Sequence, residues 1–529
     1  MALALIVTGV TWQWSTRVAS GSDSYGYVSE AELWSRGELQ IDQSFVANVP
    51  WPLAEYTFTP LGYRPTADGL HIVPNYSPGL PLMMAAAKAI GGHCAVFSVV
   101  PIMAGVLVLA TYAIGLLIGR PLVGLAAAWL VATSPAVLFI SMWPMSDVPA
   151  AATWAVAVAF LIHETGWAAA AAGLTAALAV LVRPNLAPVL GILIVWVGWR
   201  DLTTARWRDR RRVCIPWFVL GASIGVIAVM VIYSKLYGSP FQSGYGNLAE
   251  KFATRWIPRN FRNYSEWLIS TETPLAMLGL FSLAFPFARL WTTRRARDVS
   301  WLLAGCAAIV WGSYLAYVTF YDWWYLRFLL PAWPMMAIGS ASIVAACYRL
   351  SGIWARLIAV GILIFVGGHG VMTAIQRHVF ALAAEEVEYV EAARAVAAYS
   401  GPDDVIISRQ FSGSTRYYAG RLTLDMTYLA DQPEWLDRAV QWLNERGHHC
   451  YFLLNADEVW SFRREWSPKS RLARLDWTPL MLAHGGDVRL FDSVPRYLTA
   501  EPPTLPAARP GRCLPPKPNP TLRTIVDIR

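Results

Sequence analysis

Two arginines and two aspartates lie at the ends of long apolar segments, where charged side chains are unusual. They are Arg183 in LVRPN, Arg327 in YDWWYLRFLLP, Asp23 in SGSDSYGY and Asp147 in WPMSDVPAA. Ionisable groups at such positions usually pair with one another or line a cavity. The planar fork of arginine suits phosphate because it donates two parallel hydrogen bonds. A carboxylate beside a bound phosphate-sugar can in turn accept the proton of an attacking hydroxyl.

Each of these residues also has a plain structural explanation. The arginines can extend to lipid headgroups, or they can pair with Asp322 or Asp147. Asp147 can cap a helix that opens with Val-Pro-Ala, and Asp23 can cap the helical stretch 25–37. The sequence leaves both explanations open beside the chemical one.

The segments that flank these residues predict a protein of the membrane. Hydrophobic residues make up 56% of the chain, charged residues 15%, and the mean hydropathy is +0.40. Soluble domains carry about 25% charged residues. A membrane span needs about 20 mostly apolar residues. On that basis we expect about eleven spans, at 1–14, 94–118, 121–142, 148–164, 167–182, 186–200, 214–234, 273–291, 300–320, 328–348 and 354–376.

Two apolar segments need separate treatment. Residues 1–14 are short for a span, and they lack the basic region and cleavage site of a signal peptide. Residues 79–91 are shorter than the usual minimum of about 17, so we expect an interfacial or re-entrant helix there.

Basic residues in the links between spans predict the orientation of the chain. Arginine-rich links face the cytoplasm, and here they are Arg120, the links 200–212 and 289–297, and Arg349 with Arg356. Alternation then places on the outer side loop 15–93, links 143–147 and 183–185, loop 235–272, link 321–327 and everything after 376. The net charge of +8 therefore reflects topology, and we expect no nucleic-acid partner. The predicted location is the plasma (inner) membrane, crossed several times.

The outer loop 15–93 is rich in aromatic residues and has little low-complexity sequence, so we expect it to be ordered and functional. Tyr76 of this loop, in PNYSPGLPL, is a candidate for binding substrate phosphate. Tyr325, two residues before Arg327, is a second such candidate.

The order and shared sidedness of these motifs resemble the GT-C glycosyltransferases, over about residues 12–376. The motifs are an Asp after the first span, YSPGLPL before an amphipathic helix, Ser-Asp-x-Pro, Arg-Pro and Tyr-x-Arg-Phe-x-x-Pro. The nearest likeness is to the bacterial branch similar to protein O-mannosyltransferases and the lipid A aminoarabinose transferase. Ser77 to Pro81 departs from the usual Pro-Pro-Leu pattern of that branch.

The resemblance implies a fold and a set of roles. The fold is an all-α polytopic membrane domain at 1–378. Asp23 would be the catalytic base and Asp147 the second outer carboxylate. Arg183 and Arg327 would lie near the donor phosphate. Asp23 is followed by Ser24 and Tyr25, so there is no Asp-x-Asp pair. We therefore expect no bound metal and no cofactor.

Strands alternate with helices after the last span, which predicts a small extracytoplasmic α/β domain at 379–498. It lacks a glycine-rich phosphate loop, a nucleophile elbow and a metal cluster, so we expect an accessory role. Residues 499–529 are proline-rich and predict a flexible tail.

The six cysteines show no metal-ligand spacing. Cys94, Cys214, Cys306 and Cys347 lie in apolar segments and are expected to be packing residues. Cys450 and Cys513 are the two outside the membrane domain, so a disulfide between them is a further hypothesis.

The resulting functional expectation is a membrane glycosyltransferase. It would move a sugar from a polyprenyl-phosphate donor to an acceptor hydroxyl on the extracytoplasmic face, by inverting direct displacement. The acceptor would be a lipid, a glycan or a protein, and membrane lipids would surround the enzyme. The alternatives are a transporter or flippase of lipid-linked glycans, a glycan polymerase or ligase of the cell envelope, and a non-catalytic assembly protein.

Overall fold

A computed structural model describes residues 1–118, 121–204, 213–246, 248–285, 287–430, 432–495, 497 and 502–520. The larger part of the molecule is a helical body. Its helices are α1 Ala2–Trp14, α2 Asp23–Ser35, α3 Ala54–Thr57, α4 Gly79–Gly91, α5 Val99–Leu117, α6 Pro121–Ala132, α7 Pro135–Ser141, α8 Asp147–Ile162, α9 Gly166–Val182, α10 Pro188–Thr203, α11 Ile215–Tyr237, α12 Leu248–Lys251, α13 Ile257–Glu272, α14 Pro274–Ala284, α15 Arg294–Leu315, α16 Trp333–Tyr348 and α17 Ile353–Gln376.

Several helices in the described residues are long and apolar enough to cross a membrane. Six qualify singly, or up to 8 if each of two bent pairs counts as one span. The sequence predicts about eleven because it also counts α1, α8 and α9. These helices are apolar but only 13, 16 and 17 residues long. The larger count therefore stays a prediction, whereas α4, at 13 residues, is short as expected.

The expected straight span at 273–291 is wrong in its length and its shape. Helix α14 ends at Ala284 after 11 residues, and it meets α13 at a bend of 116°. Thr273 at this bend has a φ of 70°, and Pro274 opens α14 without a backbone N–H to continue the preceding helix. Hydropathy cannot register such a turn, and α13 itself lies within the predicted outer loop 235–272.

Charged residues lie at both ends of the helical body. Arg183 follows the last residue of α9, and Glu164 lies just before its first, so about 25 Å separates them. At the Glu164 end, Arg200 pairs with Glu164 at 2.9 Å and with Asp298 at 2.8 Å. The basic residues Arg120, Arg206, Arg208, Arg210, Arg211 and Arg212 lie outside the described residues.

The segment before α5 is ordered and largely buried. Helix α2 is buried from Ser24 to Leu33. A small antiparallel sheet follows in the order β1-β3-β2, and short 3₁₀ turns span Ser44–Asn48 and His93–Ser98. Its strands are β1 Ile41–Asp42, β2 Tyr63–Pro65 and β3 His71–Pro74.

An α/β unit follows α17, as predicted. Its sheet has the order β5-β4-β6-β8-β7, in which β4 is parallel to β5 and β6, while β8 is antiparallel to β6 and β7. Its elements are α18 Leu382–Glu385, α19 Glu388–Tyr399, β4 Val405–Ile407, α20 Ser412–Ser414, β5 Leu422–Leu424, α21 Glu434–Glu445, β6 Cys450–Asn455, α22 Ala456–Trp466, β7 Met481–Ala483 and β8 Val488–Asp492, with a 3₁₀ turn at Met426–Leu429. In the helical body, a 3₁₀ segment at Trp323–Ala332 leads into α16.

The α/β unit shares a hydrophobic core with the outer loop. Phe45, Trp51 and Phe58 of the loop are buried in the same cluster as strands β4, β5 and β6. The backbone N–H of Asp425 donates to the Thr57 carbonyl at 2.6 Å. The loop and the unit therefore pack as neighbours.

The expected Cys450–Cys513 disulfide is wrong. Cys513 is bonded instead to Cys94, with 5.5 Å between their Cα atoms, and Cys450 is a buried free thiol. Cys450 opens β6 in the middle of the sheet, where strands on both sides and helices on its faces enclose it. Cys94 is therefore a bridge-forming residue, contrary to the packing role expected from its apolar surroundings.

Residues 502–520 of the proline-rich segment contact the folded part of the chain, and the flexibility that composition predicts for 499–529 stays a prediction. The backbone of the segment pairs with Leu482, and the N–H of Ala508 donates to Glu391 at 2.6 Å. Arg17 donates to the Gly511 carbonyl at 2.9 Å. Proline-rich chains are extended without internal hydrogen bonds, so their backbone groups remain available to a neighbouring surface.

Candidate functional site

Asp23 is the first residue of α2, and both of its carboxylate oxygens accept hydrogen bonds. The two terminal nitrogens of Arg327 each donate to Oδ2 at 3.0 Å. The phenol of Tyr76 donates to Oδ1 at 2.6 Å and lies 2.8 Å from the Ser22 hydroxyl. The Asp23 side chain remains 32% exposed, so a substrate can reach it.

Tyr76 can reach Asp23 because residue 26 is glycine. A Cβ at Gly26 would lie 2.1 Å from the Tyr76 ring. Burial raises the pKa of Tyr76 well above its ordinary value, and the neighbouring Asp23 charge adds to this effect. The phenol therefore keeps its proton and acts as a donor to the carboxylate.

Asp147 forms a second ion pair next to the first. It is the first residue of α8, and Oδ1 accepts from Arg183 at 2.6 Å. Arg183 follows α9 and also donates to the hydroxyls of Ser146 at 3.1 Å and Tyr314 at 2.8 Å. The second oxygen of Asp147 is buried and has no hydrogen-bond partner within the described residues.

A single aromatic ring lies between the two ion pairs. The guanidinium of Arg327 is 5.2 Å from the centre of the Phe328 ring, and that of Arg183 is 5.9 Å from it. Tyr314 stacks on the same ring at 4.9 Å. Since both arginines contact one ring, the two ion pairs belong to one site.

Tyr325 also lies in this site. The Arg327 guanidinium is 5.3 Å from the centre of the Tyr325 ring, and that ring stacks on Phe320 at 4.0 Å. The six residues that the sequence indicates, Asp23, Tyr76, Asp147, Arg183, Tyr325 and Arg327, are thus brought together. Their roles in a reaction remain a prediction.

The structural explanations of these residues are partly correct. Arg183 does pair with Asp147, which is one of the two partners named for it. The helix-capping explanation fails for both aspartates, because neither side chain makes a capping hydrogen bond and each lies one residue inside its helix. Both arginines bind a carboxylate in the protein, so neither simply extends to a lipid headgroup.

Three tyrosines complete the site, and the sequence motifs do not indicate them. Tyr27 donates to the Ser146 hydroxyl at 2.8 Å and lies 4.6 Å from the Tyr76 ring. Tyr314 binds Arg183, and Tyr245 packs edge-on against Tyr76 at 6.0 Å. Tyr27 could have been found, since it lies one helical turn after Asp23 and so on the same face.

The two arginines of the site balance the charges of its two aspartates. Two buried polar atoms remain available for a ligand. The Nε atom of Arg327 is buried without a hydrogen-bond partner in the described part of the chain, like the second oxygen of Asp147. No group of three or more His, Cys, Asp or Glu side chains suited to a metal ion occurs among the described residues.

Comparison with known proteins gives a fold but no close relative. No protein-family model matches the chain, and no curated protein matches it by sequence. The structure of ArnT from Cupriavidus metallidurans bound to undecaprenyl phosphate is similar, with 13% identity, a TM-score of 0.54, and coverage of 93% of this chain and 97% of that chain.

Two structures of the oligosaccharyltransferase of Archaeoglobus fulgidus are also similar. The one tethered to an acceptor peptide with the NVT sequon has 11% identity and a TM-score of 0.53, and 90% of this chain and 72% of that chain are covered. The one with dolichol-phosphate has 12% identity and a TM-score of 0.52, with 93% and 74% covered. ArnT and this oligosaccharyltransferase, AglB, are members of the GT-C superfamily. The chain therefore has the fold of the GT-C glycosyltransferases.

Proposed function

We propose that the protein is a membrane glycosyltransferase that moves a sugar from a polyprenyl-phosphate donor to an acceptor hydroxyl. The observation that carries this proposal is the site around Phe328, where Asp23–Arg327 and Asp147–Arg183 meet. The structural neighbours support the donor class, since one is bound to undecaprenyl phosphate and another to dolichol-phosphate.

The arginines suit the donor phosphate. Two guanidinium groups converge on one ring, and Arg327 keeps a buried Nε atom without a partner among the described residues. Charge-assisted hydrogen bonds to phosphate are stronger than neutral ones. Asp147 and Tyr314 hold Arg183 in place, so it is positioned before a substrate arrives.

Asp23 suits the role of base. The acceptor hydroxyl oxygen attacks the anomeric carbon and forms the new C–O bond while its proton passes to Asp23. The bond from the anomeric carbon to the phosphate oxygen breaks, and the polyprenyl phosphate leaves with the electron pair. Attack opposite the leaving group inverts the anomeric centre. Positioned proton transfer of this kind contributes about 10²–10⁴-fold.

The proposed active face is extracytoplasmic, at the plasma membrane. The arginine-rich links and the site belong to opposite ends of the helices, which agrees with this orientation. Impermeant thiol labelling of single-cysteine variants at 205 and 430 tests it. We expect labelling at 430 only, and labelling at 205 in intact cells would overturn the topology.

Mass spectrometry of envelope glycans and glycoproteins tests the function. A strain lacking the gene should lose a sugar modification, and the wild-type gene should restore it. Asp23→Asn keeps the shape of the side chain but removes the base, so it should not restore the modification although the protein is made. Full restoration by both Asp23→Asn and Asp147→Asn would remove the base hypothesis and favour a transport function.

A further inference from the structure

A polar cavity of about 500 Å³ lies beside the proposed active site and is separate from it. Its walls come from the β2–β3 hairpin, helix α3, the end of α11 and the loop that follows α11. Volumes of about 300–1,000 Å³ are typical of ligand sites. None of the residues proposed for the donor phosphate or the base lines this cavity.

The cavity connects to the active site through the loop 238–246. Arg64 of β2 donates to the Ser243 carbonyl at 3.1 Å, and Gly244 packs directly on Asn75. The next residue, Tyr245, packs against Tyr76, which binds Asp23. Tyr76 and Tyr245 therefore form a wall between the cavity and the proposed base, Asp23.

The distance between them is short. Arg64 pairs with Val73 across the hairpin, and Tyr76 follows Val73 by three residues. Neighbouring strands lie about 4.8 Å apart and an extended chain advances at most about 3.3 Å per residue, so Tyr76 lies within about 15 Å of Arg64 at the cavity edge. An elongated ligand in the cavity can thus place one end beside Asp23.

The lining favours a carbohydrate. The Tyr56 ring lies among planar polar groups, namely the Glu55 carboxylate, the Gln242 amide and the Arg64 guanidinium, which lies 5.7 Å over the Tyr237 ring. Aromatic faces pack against the C–H surface of a sugar ring, and planar polar groups bind its neighbouring hydroxyls. No hydrogen bond occupies the Glu55 carboxylate in the described part of the chain, so it is free to accept from a ligand.

A peptide fits this cavity less well. Peptides commonly bind by adding a strand to an exposed sheet edge. The edge strand here is β2, and it ends in Pro65, which has no backbone N–H to donate to an added strand. The mixture of carboxylates and a single arginine also lacks the one-sided charge that would select an anionic ligand.

The α/β unit helps to build this cavity. Tyr56 of the lining stacks against Tyr428 at 5.3 Å, and the backbone of Asp425 holds the end of α3 through Thr57. The sequence of the α/β unit contains no recognisable catalytic motif. Through these two contacts the unit holds α3, the helix that supplies Glu55 and Tyr56, in place.

We propose that this cavity binds the carbohydrate part of the acceptor and presents one of its hydroxyls to Asp23. The inference rests on the proposed function, since it assigns the acceptor class of the same reaction. The donor phosphate would bind on the Arg327 side of the Tyr76–Tyr245 wall. The acceptor saccharide would lie on the Arg64 side, and its reacting end would extend past the exposed Tyr245 to the Asp23 carboxylate.

Photo-crosslinking in cells tests the inference without knowledge of the acceptor. A benzophenone amino acid replaces Gln242 at the cavity rim or, as a control, Trp460 of α22, whose side chain is 61% exposed. We expect an adduct at 242 whose mass spectrum contains saccharide fragments, absent at 460. An adduct with a peptide or a phospholipid alone, or none above the control, would overturn the proposal.

Kinetics provide an independent readout. With the saccharide recovered from the adduct at 242 as acceptor, Glu55→Gln removes the carboxylate charge and Gln242→Ala removes the amide, so the acceptor KM should rise about tenfold, while undecaprenyl phosphate binding stays unchanged. An unchanged acceptor KM in both variants would overturn the acceptor site. If the proposed transferase activity is itself absent, no variant turns over, yet the saccharide adduct at 242 still reports on the cavity.

Discussion

Both terminal nitrogens of Arg327 donate an N–H hydrogen bond to one carboxylate oxygen of Asp23, 304 residues away in sequence. The guanidinium proposed to bind the phosphate and the carboxylate proposed as the base thus neutralise each other's charge. An anionic donor that binds Arg327 competes directly with Asp23 for the same N–H groups. Arrival of the donor would therefore weaken the hold on the base at the time when the base is needed.

Arg183 and Arg327 should differ from exposed arginines in their effect on donor binding. Arg327→Ala and Arg183→Ala each remove charge-assisted hydrogen bonds, worth about 1.5–3 kcal/mol, or about tenfold or more in affinity. Arg→Lys should rescue poorly because lysine cannot donate in the same planar, two-pronged geometry. Titration of the purified protein with undecaprenyl phosphate measures this.

Arg262→Ala provides the matched control for the arginine variants, because that side chain is 76% exposed and pairs only with Glu266 one turn away among the described residues. Its affinity for undecaprenyl phosphate should equal that of the wild type. Wild-type affinity in both Arg183→Ala and Arg327→Ala would show that these residues serve only the structure.

Gly26→Ala should damage the site without altering any charged residue. The added methyl group would meet the Tyr76 ring at 2.1 Å, so Tyr76 must move away from Asp23. We expect turnover to fall at least tenfold, with a stability loss of about 1–3 kcal/mol typical of overpacking. Gly9→Ala is the control, since nothing lies within 4 Å of a Cβ there. Equal turnover in the two variants would refute the proposed role of Tyr76.

Loss of the Cys94–Cys513 disulfide should destabilise the protein. Bridges of this kind usually contribute about 2–5 kcal/mol, so Cys94→Ser and Cys513→Ser should lower the melting temperature to a similar extent. Cys347→Ser removes a free thiol and should leave it unchanged. Peptide mapping under non-reducing conditions should recover the 94–513 pair, and recovery of a 450–513 peptide instead would contradict the structure.

Glu386 should make stability depend on pH. Burial raises its pKa from 4.5 to about 8. The folded state thus holds a proton that the unfolded state releases, and stability falls as the pH rises from about 4.5 to 8. Glu386→Gln should flatten this part of the curve. Thermal unfolding at pH 5 and pH 8 compares the wild type with Glu386→Gln. An equal drop in melting temperature in the two proteins would show that Glu386 is not the titrating group.

The predicted side of the membrane for each link explains why much of the candidate site could be picked out from the sequence. Arg183 and Arg327 break the distribution of basic residues set by the other links, and Asp23 and Asp147 lie on the same side, so these four charged residues are distinctive in the sequence itself. Tyr245 and Tyr314 are not, because the chain contains 22 tyrosines and neither lies in a recognisable motif. Their contacts depend on how separate helices pack.

The errors in the fold have equally specific causes. The turn at Thr273 depends on one backbone angle, which an average of hydropathy over neighbouring residues cannot detect. The wrong disulfide has a different cause. Composition reports that a proline-rich segment lacks internal hydrogen bonds, but it does not show which surface the segment contacts, so it does not indicate that Cys513 pairs with Cys94.

The Cys94–Cys513 bond also constrains how the protein is made. It closes a covalent ring across 419 positions, and that ring contains every helix from α5 to α17. Chain synthesis is vectorial, at about 5–20 residues per second, so Cys94 is translated roughly 20 seconds or more before its partner. On the proposed topology, Cys94 must stay reduced and unpaired on the outer face throughout that interval. Maturation of the protein should therefore depend on the thiol–disulfide exchange machinery of its compartment.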